Sequence, residues 1–182
     1  MIKAKLTEEM TETIKNAKNQ NLCSYEYGKS IKNEAYGNLQ INLNSFAIEL
    51  INEENKLPFY DTTEDISFFK CTKKQLDEKY VPYCPNEPIE KHGVDEKILA
   101  TSVIEDCISI NNGEYNITFD MAIIFETENH KYVFSRGWFF DETISISIDK
   151  EFDDIYPVSQ VVEDWSDEGD NKVEVKRSKI YL

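Results

Sequence analysis

The sequence predicts an α+β fold in which a mainly antiparallel sheet carries an N-terminal helix on one face. Two patterns support this prediction. From Tyr115 to Phe125 every second residue is apolar, which is the period of a strand with one buried face. In the first twenty residues the apolar side chains recur every three or four positions, which is the period of a helix. At 182 residues the chain has the length of one domain, 1–182.

The first predicted element is a helix over residues 6–19. Thr7 or a neighbouring residue is suited to cap it, because a threonine hydroxyl can accept a free N–H of the first turn. A seven-strand all-β sandwich is the alternative fold class, and this helix is the evidence against it. The apolar stripe of the helix consists of Leu6, Met10, Ile14 and Ala17.

Strands are predicted next, over residues 39–43 and 46–50. The apolar alternation changes phase between these two segments, and a β-bulge near residues 44–45 would reconcile them. A helix over residues 45–54 is the alternative. A further strand is predicted around Ile66–Phe69, because β-branched and aromatic residues favour strands.

Regular structure is predicted to stop after Tyr80. The stretch Lys73–Tyr80 is polar and rich in helix-favouring residues. Three of the five prolines follow within a short span. Because proline lacks a backbone N–H donor, residues 81–96 are expected to form an irregular surface connection.

The C-terminal half predicts four consecutive strands joined by short turns, which is an antiparallel meander. Asn111–Gly113 and residues 126–131 supply the first two turns. A helical turn at residues 158–164 and a last strand at 173–182 complete the prediction. The four strands of the meander are residues 98–110, 115–125, 132–140 and 144–148.

Composition narrows the classes of partner. The net charge of −15 disfavours binding to nucleic acid or an anionic membrane, because both would repel the protein, and a basic protein is the electrostatic complement. The chain has no apolar run of the length that a signal peptide or a membrane span requires, which predicts a cytoplasmic protein. Its cysteines are too dispersed for a disulfide scaffold and are expected to be reduced thiols. They are Cys23, Cys71, Cys84 and Cys107.

Two ligand-binding motifs are present only in part. Gly28-Lys29-Ser30 matches the end of a phosphate-binding loop, but Cys23 stands where the motif needs an earlier glycine. A calcium-loop pattern that starts at Asp164 has Gly169 at its sixth place. Val175 occupies the twelfth place, where a bidentate carboxylate is required. Neither a nucleotide nor calcium is therefore expected, and no cofactor is predicted.

The two histidines, His92 and His130, have no second metal ligand at a regular spacing, so zinc is not expected. A nucleophile–base pair of Cys84 and His92 depends on three-dimensional geometry, and a packed thiol beside a solvated histidine is the favoured interpretation. Arg136 is predicted to share a strand face with aromatic residues. It is either a buried arginine paired with a carboxylate or a surface arginine stacked on aromatic rings.

Charge is concentrated near the C-terminus. Residues 141–170 carry 11 acidic residues and one lysine, which is −10 of the net charge of −15. Solvated loops are one interpretation of this tract, and a surface that binds a basic protein is the other. Tyr156 and Trp165 lie within it as possible interface anchors, although Trp165 is equally suited to the core. The predicted partner-binding residues are Asp141, Glu142, Glu151, Asp153, Asp154, Tyr156, Asp164, Trp165, Asp167, Glu168 and Asp170.

A small acidic chain without catalytic motifs, rich in Asn, Ile, Lys and Glu, resembles the immunity proteins of bacterial toxin systems. The resemblance rests on composition and on the stretch Phe119–Trp165. It implies a non-enzymatic protein that neutralises a cognate toxin, often a basic nuclease, by stoichiometric binding. Two alternatives remain open: a small-molecule-binding domain or enzyme with a site between sheet and helix, and an assembly component that pairs through a sheet edge.

Overall fold

A computed structural model describes residues 1–29, 34–166 and 171–182. In these residues eleven strands form one mostly antiparallel sheet, accompanied by three short α-helices, so the α+β class is confirmed. The helices are α1 (Glu8–Lys15), α2 (Phe152–Ile155) and α3 (Val158–Ser166), and a 3-10 turn spans Asn111–Gly113. The strands are β1 (Ile2–Ala4), β2 (Asn21–Gly28), β3 (Glu34–Tyr36), β4 (Asn38–Leu43), β5 (Ala47–Phe59), β6 (Thr62–Lys74), β7 (Ile89–Ile110), β8 (Tyr115–Thr127), β9 (Lys131–Arg136), β10 (Thr143–Ile148) and β11 (Val173–Tyr181).

Helix α1 lies at the predicted place but is shorter than residues 6–19. The Thr7 hydroxyl accepts the N–H of Met10 at 3.3 Å, which confirms the predicted cap. The predicted stripe of α1 is buried or half-buried against the sheet. No helix in the described ranges has the length and apolar character needed to cross a membrane.

The strand order is β3-β10-β9-β8-β7-β2-β4-β5-β6. Strand β7 is long enough to join the two halves of this sheet. Its first part pairs with β2, and its later part pairs with β8 and β11. The predicted meander is confirmed, because β7, β8, β9 and β10 pair consecutively and antiparallel. Strand β1 pairs parallel with β8.

Two hydrophobic clusters stabilise the sheet. The first contains α1 and inward side chains of both halves of the sheet, and the second lies beneath α2 and α3. Strand β8 contributes to both, with Phe125 in the first and Phe119 in the second, and its pairing with β7 shifts register at Ile104/Glu105. The prediction of one buried face for β8 was therefore wrong, because Ala122 and Ile124 are buried too.

Three local predictions were also wrong. The phase change at residues 44–45 is a hairpin turn, closed by the Leu43 N–H and the Phe46 carbonyl at 2.9 Å, and not a bulge. Residues 89–96 belong to β7 and pair with β2, which the sequence did not predict. Strand β9 ends at Arg136, and a loop follows it.

Candidate functional site

The loop between β9 and β10, residues 137–142, presents two aromatic side chains to solvent. Trp138 is 51% exposed and Phe140 is 39% exposed, whereas Phe139 between them is buried. The exposed rings meet edge to face, with centroids 5.0 Å apart. Large exposed aromatic side chains cost hydration free energy and are residue types that anchor protein interfaces. This loop is therefore the first candidate for a binding surface.

Buried polar side chains of the β5–β6 hairpin hold the loop in place. The Phe139 carbonyl accepts the Ser67 N–H at 2.9 Å, and the Ser67 hydroxyl lies 2.7 Å from the Asp141 carbonyl. The Asn52 amide donates to the carbonyls of Asp141 and Thr143 at 2.9 and 3.0 Å. Because these bonds satisfy carbonyls that the irregular backbone leaves free, the loop has a defined conformation.

The two carboxylates that end the loop also fix its shape. Asp141 accepts the N–H and the hydroxyl of Thr143, each at 2.8 Å. Glu142 accepts the N–H of Glu54 at 3.3 Å and the hydroxyl of Tyr83 at 3.4 Å. Both predicted partner-binding residues therefore have structural roles in presenting Trp138 and Phe140.

Arg136 anchors the start of the loop. Its side chain is fully buried, lies 4.9 Å from the Phe119 ring and 4.8 Å from the Phe139 ring, and donates to the Ser67 hydroxyl and the Phe139 carbonyl. No carboxylate pairs with it among the described residues. Arg136 is therefore buried, as in the first prediction, but stacked on aromatic rings, as in the second, so each prediction was wrong in part. Burial lowers the pKa of its guanidinium to about 9, because the charged form is desolvated.

A pocket of about 450 Å³ opens between the loop, the tip of the β5–β6 hairpin and α3. Its walls are mainly aromatic, and the rings of Phe139 and Trp165 meet at 5.0 Å. The Glu64 carboxylate lines the pocket and makes no hydrogen bond or ion pair within the described part of the chain. Asp164 lines it too but is engaged by the Tyr156 hydroxyl and the Gln160 amide. The lining residues are Phe59, Glu64, Trp138, Phe139, Phe140, Asp164, Trp165 and Asn171.

A second group of carboxylates lies where the loop reaches β5. Desolvation raises the pKa of Glu54, and repulsion from Glu142, Asp65 and Asp141 adds to the effect. The pKa of Tyr36 is raised to about 12, mainly by its hydrogen bond to Glu142. Repulsion from neighbouring carboxylates contributes to both shifts, after the main causes, and has the sign of a locally negative potential.

Two of the remaining predicted carboxylates that the structure describes form ion pairs within the protein. Glu151 forms an ion pair with Lys131. Asp153 pairs at 2.6 Å with Arg177, which also binds the buried Asp106.

Asp154 is exposed, whereas Trp165 packs in the second cluster and also lines the pocket. The Tyr156 hydroxyl donates to Asp164. Three predicted residues lie outside the described ranges: Asp167, Glu168 and Asp170. The described carboxylates of the tract therefore do not form one unpaired patch.

The two histidines lie in different settings, His92 packed against aromatic rings and His130 in an exposed turn. His92 lies on β7, not in an irregular connection; its ring stacks on Tyr25 at 4.9 Å, and its Nε2 lies 3.2 Å from the Tyr27 hydroxyl. His130 lies in the β8–β9 turn, with Nδ1 2.7 Å from Asp149.

The cysteines, including Cys84, are all free. Among the described residues no three metal-ligating side chains come together as a possible site. Ser30 and Gly169, which belong to the two incomplete motifs, lie outside the described ranges.

Comparison of the chain with protein-family models, with curated proteins and with solved structures finds no match. The site is therefore characterised by its own geometry. Sequence reasoning missed Glu64, Trp138 and Phe140 as site residues. The three consecutive aromatic residues at 138–140 could have indicated an exposed aromatic surface, but they were included in the predicted strand 132–140.

Proposed function

We propose that this protein is a stoichiometric inhibitor of a basic protein, of the immunity-protein type, with a toxin such as a nuclease as the target. The observation that carries the proposal is the pair Trp138 and Phe140, exposed on a loop whose backbone is fixed by buried hydrogen bonds. A fixed loop loses little conformational entropy on binding, so exposed aromatic rings on it contribute efficiently to affinity.

Charge supports the same class of partner. The chain has a net charge of −15, and the carboxylates of Glu54, Asp65, Asp141 and Glu142 raise the local negative potential at one end of the loop. Such a field accelerates encounter with a basic protein and makes association sensitive to salt. We therefore propose the loop surface as the interface, and not the whole of residues 141–170. Tyr60, in the turn between β5 and β6, is 45% exposed and is included. The loop surface is defined as Tyr60, Glu64, Trp138 and Phe140 with the adjoining Asp141 and Glu142.

The test is affinity capture from a lysate of the native host at low and high salt. The baits are the wild-type protein and the double variant Trp138→Ala/Phe140→Ala. One basic protein, recovered in stoichiometric amount by the wild type at low salt and depleted at high salt and with the variant, is the expected result. Expression of that protein alone should stop growth, and co-expression with the wild type should restore it. Recovery of the bait alone, or equal recovery by both baits, would contradict the proposal.

A small-molecule-binding role is the second candidate, and the pocket beside Trp138 favours it. The pocket volume of about 450 Å³ lies in the usual range for ligand sites, about 300–1,000 Å³. Native mass spectrometry of the purified protein separates the two candidates. A retained compound that Trp138→Ala releases would support the small-molecule role, and an unliganded mass would leave the inhibitor proposal favoured.

A further inference from the structure

We infer that the pocket beside Trp138 receives a lysine or arginine side chain from the protein's partner. The inference rests on the proposed function, because it names the chemical group that the basic partner presents. Net charge alone predicts neither the cavity that binds this group, nor its contact with aromatic rings, nor a preference for a cationic side chain over a neutral one of the same shape.

The walls of the pocket suit a cation. Phe59, Trp138, Phe140 and Trp165 all line it, and the face of an aromatic ring attracts an ammonium or guanidinium group through its quadrupole. Arg136 stacks between two rings in the same way within this chain, at 4.9 and 4.8 Å. The long aliphatic stem of lysine or arginine would cover the apolar wall while its charged end reaches a polar group.

Glu64 supplies the polar group. Its carboxylate lines the pocket, is only half exposed and has no partner within the described ranges. Nearby Asp164 keeps the pocket negative while its own oxygens are engaged by Tyr156 and Gln160. A partly desolvated carboxylate without a partner is the natural counter-ion for an incoming cation.

Other occupants fit less well. An apolar side chain would leave the Glu64 carboxylate desolvated and unpaired, and an anion would be repelled by Glu64 and Asp164. The nearby cation, Arg136, is fully buried and is not part of the pocket lining, so it offers no accessible anion site.

The test uses two blocked tripeptides that differ only in charge: acetyl-Gly-Arg-Gly-amide and the same peptide with the neutral isostere citrulline. The chain has two tryptophans, so their indole N–H resonances in a ¹H–¹⁵N NMR spectrum report on the pocket directly. The arginine peptide should shift both resonances saturably, with a dissociation constant on the order of 1–10 mM. Glu64→Gln should weaken binding at least about threefold. The control Glu8→Gln, on the exposed start of α1, should not change it.

Equal shifts with the citrulline peptide, no saturable shift, or unchanged binding in Glu64→Gln would overturn the inference. Its failure is distinguishable from failure of the proposed function. Salt-sensitive capture of a partner that depends on Trp138, without arginine-selective peptide binding, would refute only the cation pocket. Arginine-selective binding without any captured partner would refute only the inhibitor role.

Discussion

Asp120 is a buried carboxylate whose ionisation opposes folding at neutral pH. It lies on β8, where it accepts the N–H of Leu6 at 2.7 Å and so holds the segment between β1 and α1. Desolvation raises its pKa from 3.8 to about 6, against the weaker opposing effects of the Leu6 N–H and Lys5. The folded protein therefore binds this proton more tightly than the unfolded chain does.

A raised carboxyl pKa gives stability that is full below about pH 4 and is lost as pH rises through about 6. We expect the Asp120 carboxylate to reduce the free energy of unfolding by about 3 kcal/mol over this range. Asp120→Asn keeps an acceptor for the Leu6 N–H but has no charge, so it should be more stable than the wild type at pH 7. Urea denaturation from pH 4.5 to 7.5 measures this difference.

The control for Asp120→Asn is Asp154→Asn, because Asp154 is exposed. The control should follow the wild-type pH profile. Parallel profiles for Asp120→Asn and the wild type would show that folding does not raise the pKa of Asp120.

At the scale of elements, the β5–β6 hairpin determines where the aromatic loop lies. Glu54 and Ser67 are directly opposite each other in this hairpin. The N–H of Ser67 binds the Phe139 carbonyl, and the N–H of Glu54 binds the Glu142 carboxylate. The loop therefore spans both strands of the hairpin, and the conformation of Trp138 and Phe140 depends on residues more than seventy positions away in sequence.

Asn52→Ala tests this support. The change leaves the carbonyls of Asp141 and Thr143 without their buried donor, so we expect a loss of about 2–4 kcal/mol in the free energy of unfolding. Hydrogen exchange at the loop amides should also accelerate, because the loop opens more often. Urea denaturation and exchange measured by NMR report these two effects.

Asn55→Ala is the matched control, since Asn55 lies on the same strand. Its side chain bonds the Glu53 carbonyl and Lys70 on β6, and no bond joins it to the loop among the described residues. We expect it to stay within about 0.5 kcal/mol of the wild type. If Asn52→Ala behaved like this control, the loop would not depend on the hairpin for its conformation.

Across the whole molecule, the elements that could be predicted from the sequence are those with a regular local pattern of apolar residues. The meander from β7 to β10 was predictable because its strands alternate regularly and its turns contain Asn and Gly. The strand at residues 89–96 was not predictable, because Gly93 and several charged side chains disfavour a strand in sequence. Pairing with β2 stabilises it. Pairing between strands that are distant in sequence cannot be predicted from the residues of one strand alone.

The candidate site was less predictable than the fold. Net charge indicated a basic partner, but the ion pairs that use Glu151 and Asp153 within the protein depend on Lys131 and Arg177 from other strands. The run Trp138-Phe139-Phe140 resembles part of a strand in sequence. Which of its rings faces solvent is decided by Ser67 and Asn52, through bonds that no local pattern encodes.

If the loop surface binds the partner, the affinity of the captured complex should depend on Trp138 and Phe140. Isothermal titration should give 1:1 binding by the wild type and at least about a 100-fold weaker dissociation constant for Trp138→Ala/Phe140→Ala. The control Leu99→Ala/Tyr181→Ala removes two large side chains on β7 and β11 that are 50% and 66% exposed, at least about as much as Trp138 and Phe140, and should leave affinity unchanged. An affinity of Trp138→Ala/Phe140→Ala within about threefold of the wild type, or equal losses in both double variants, would contradict the account.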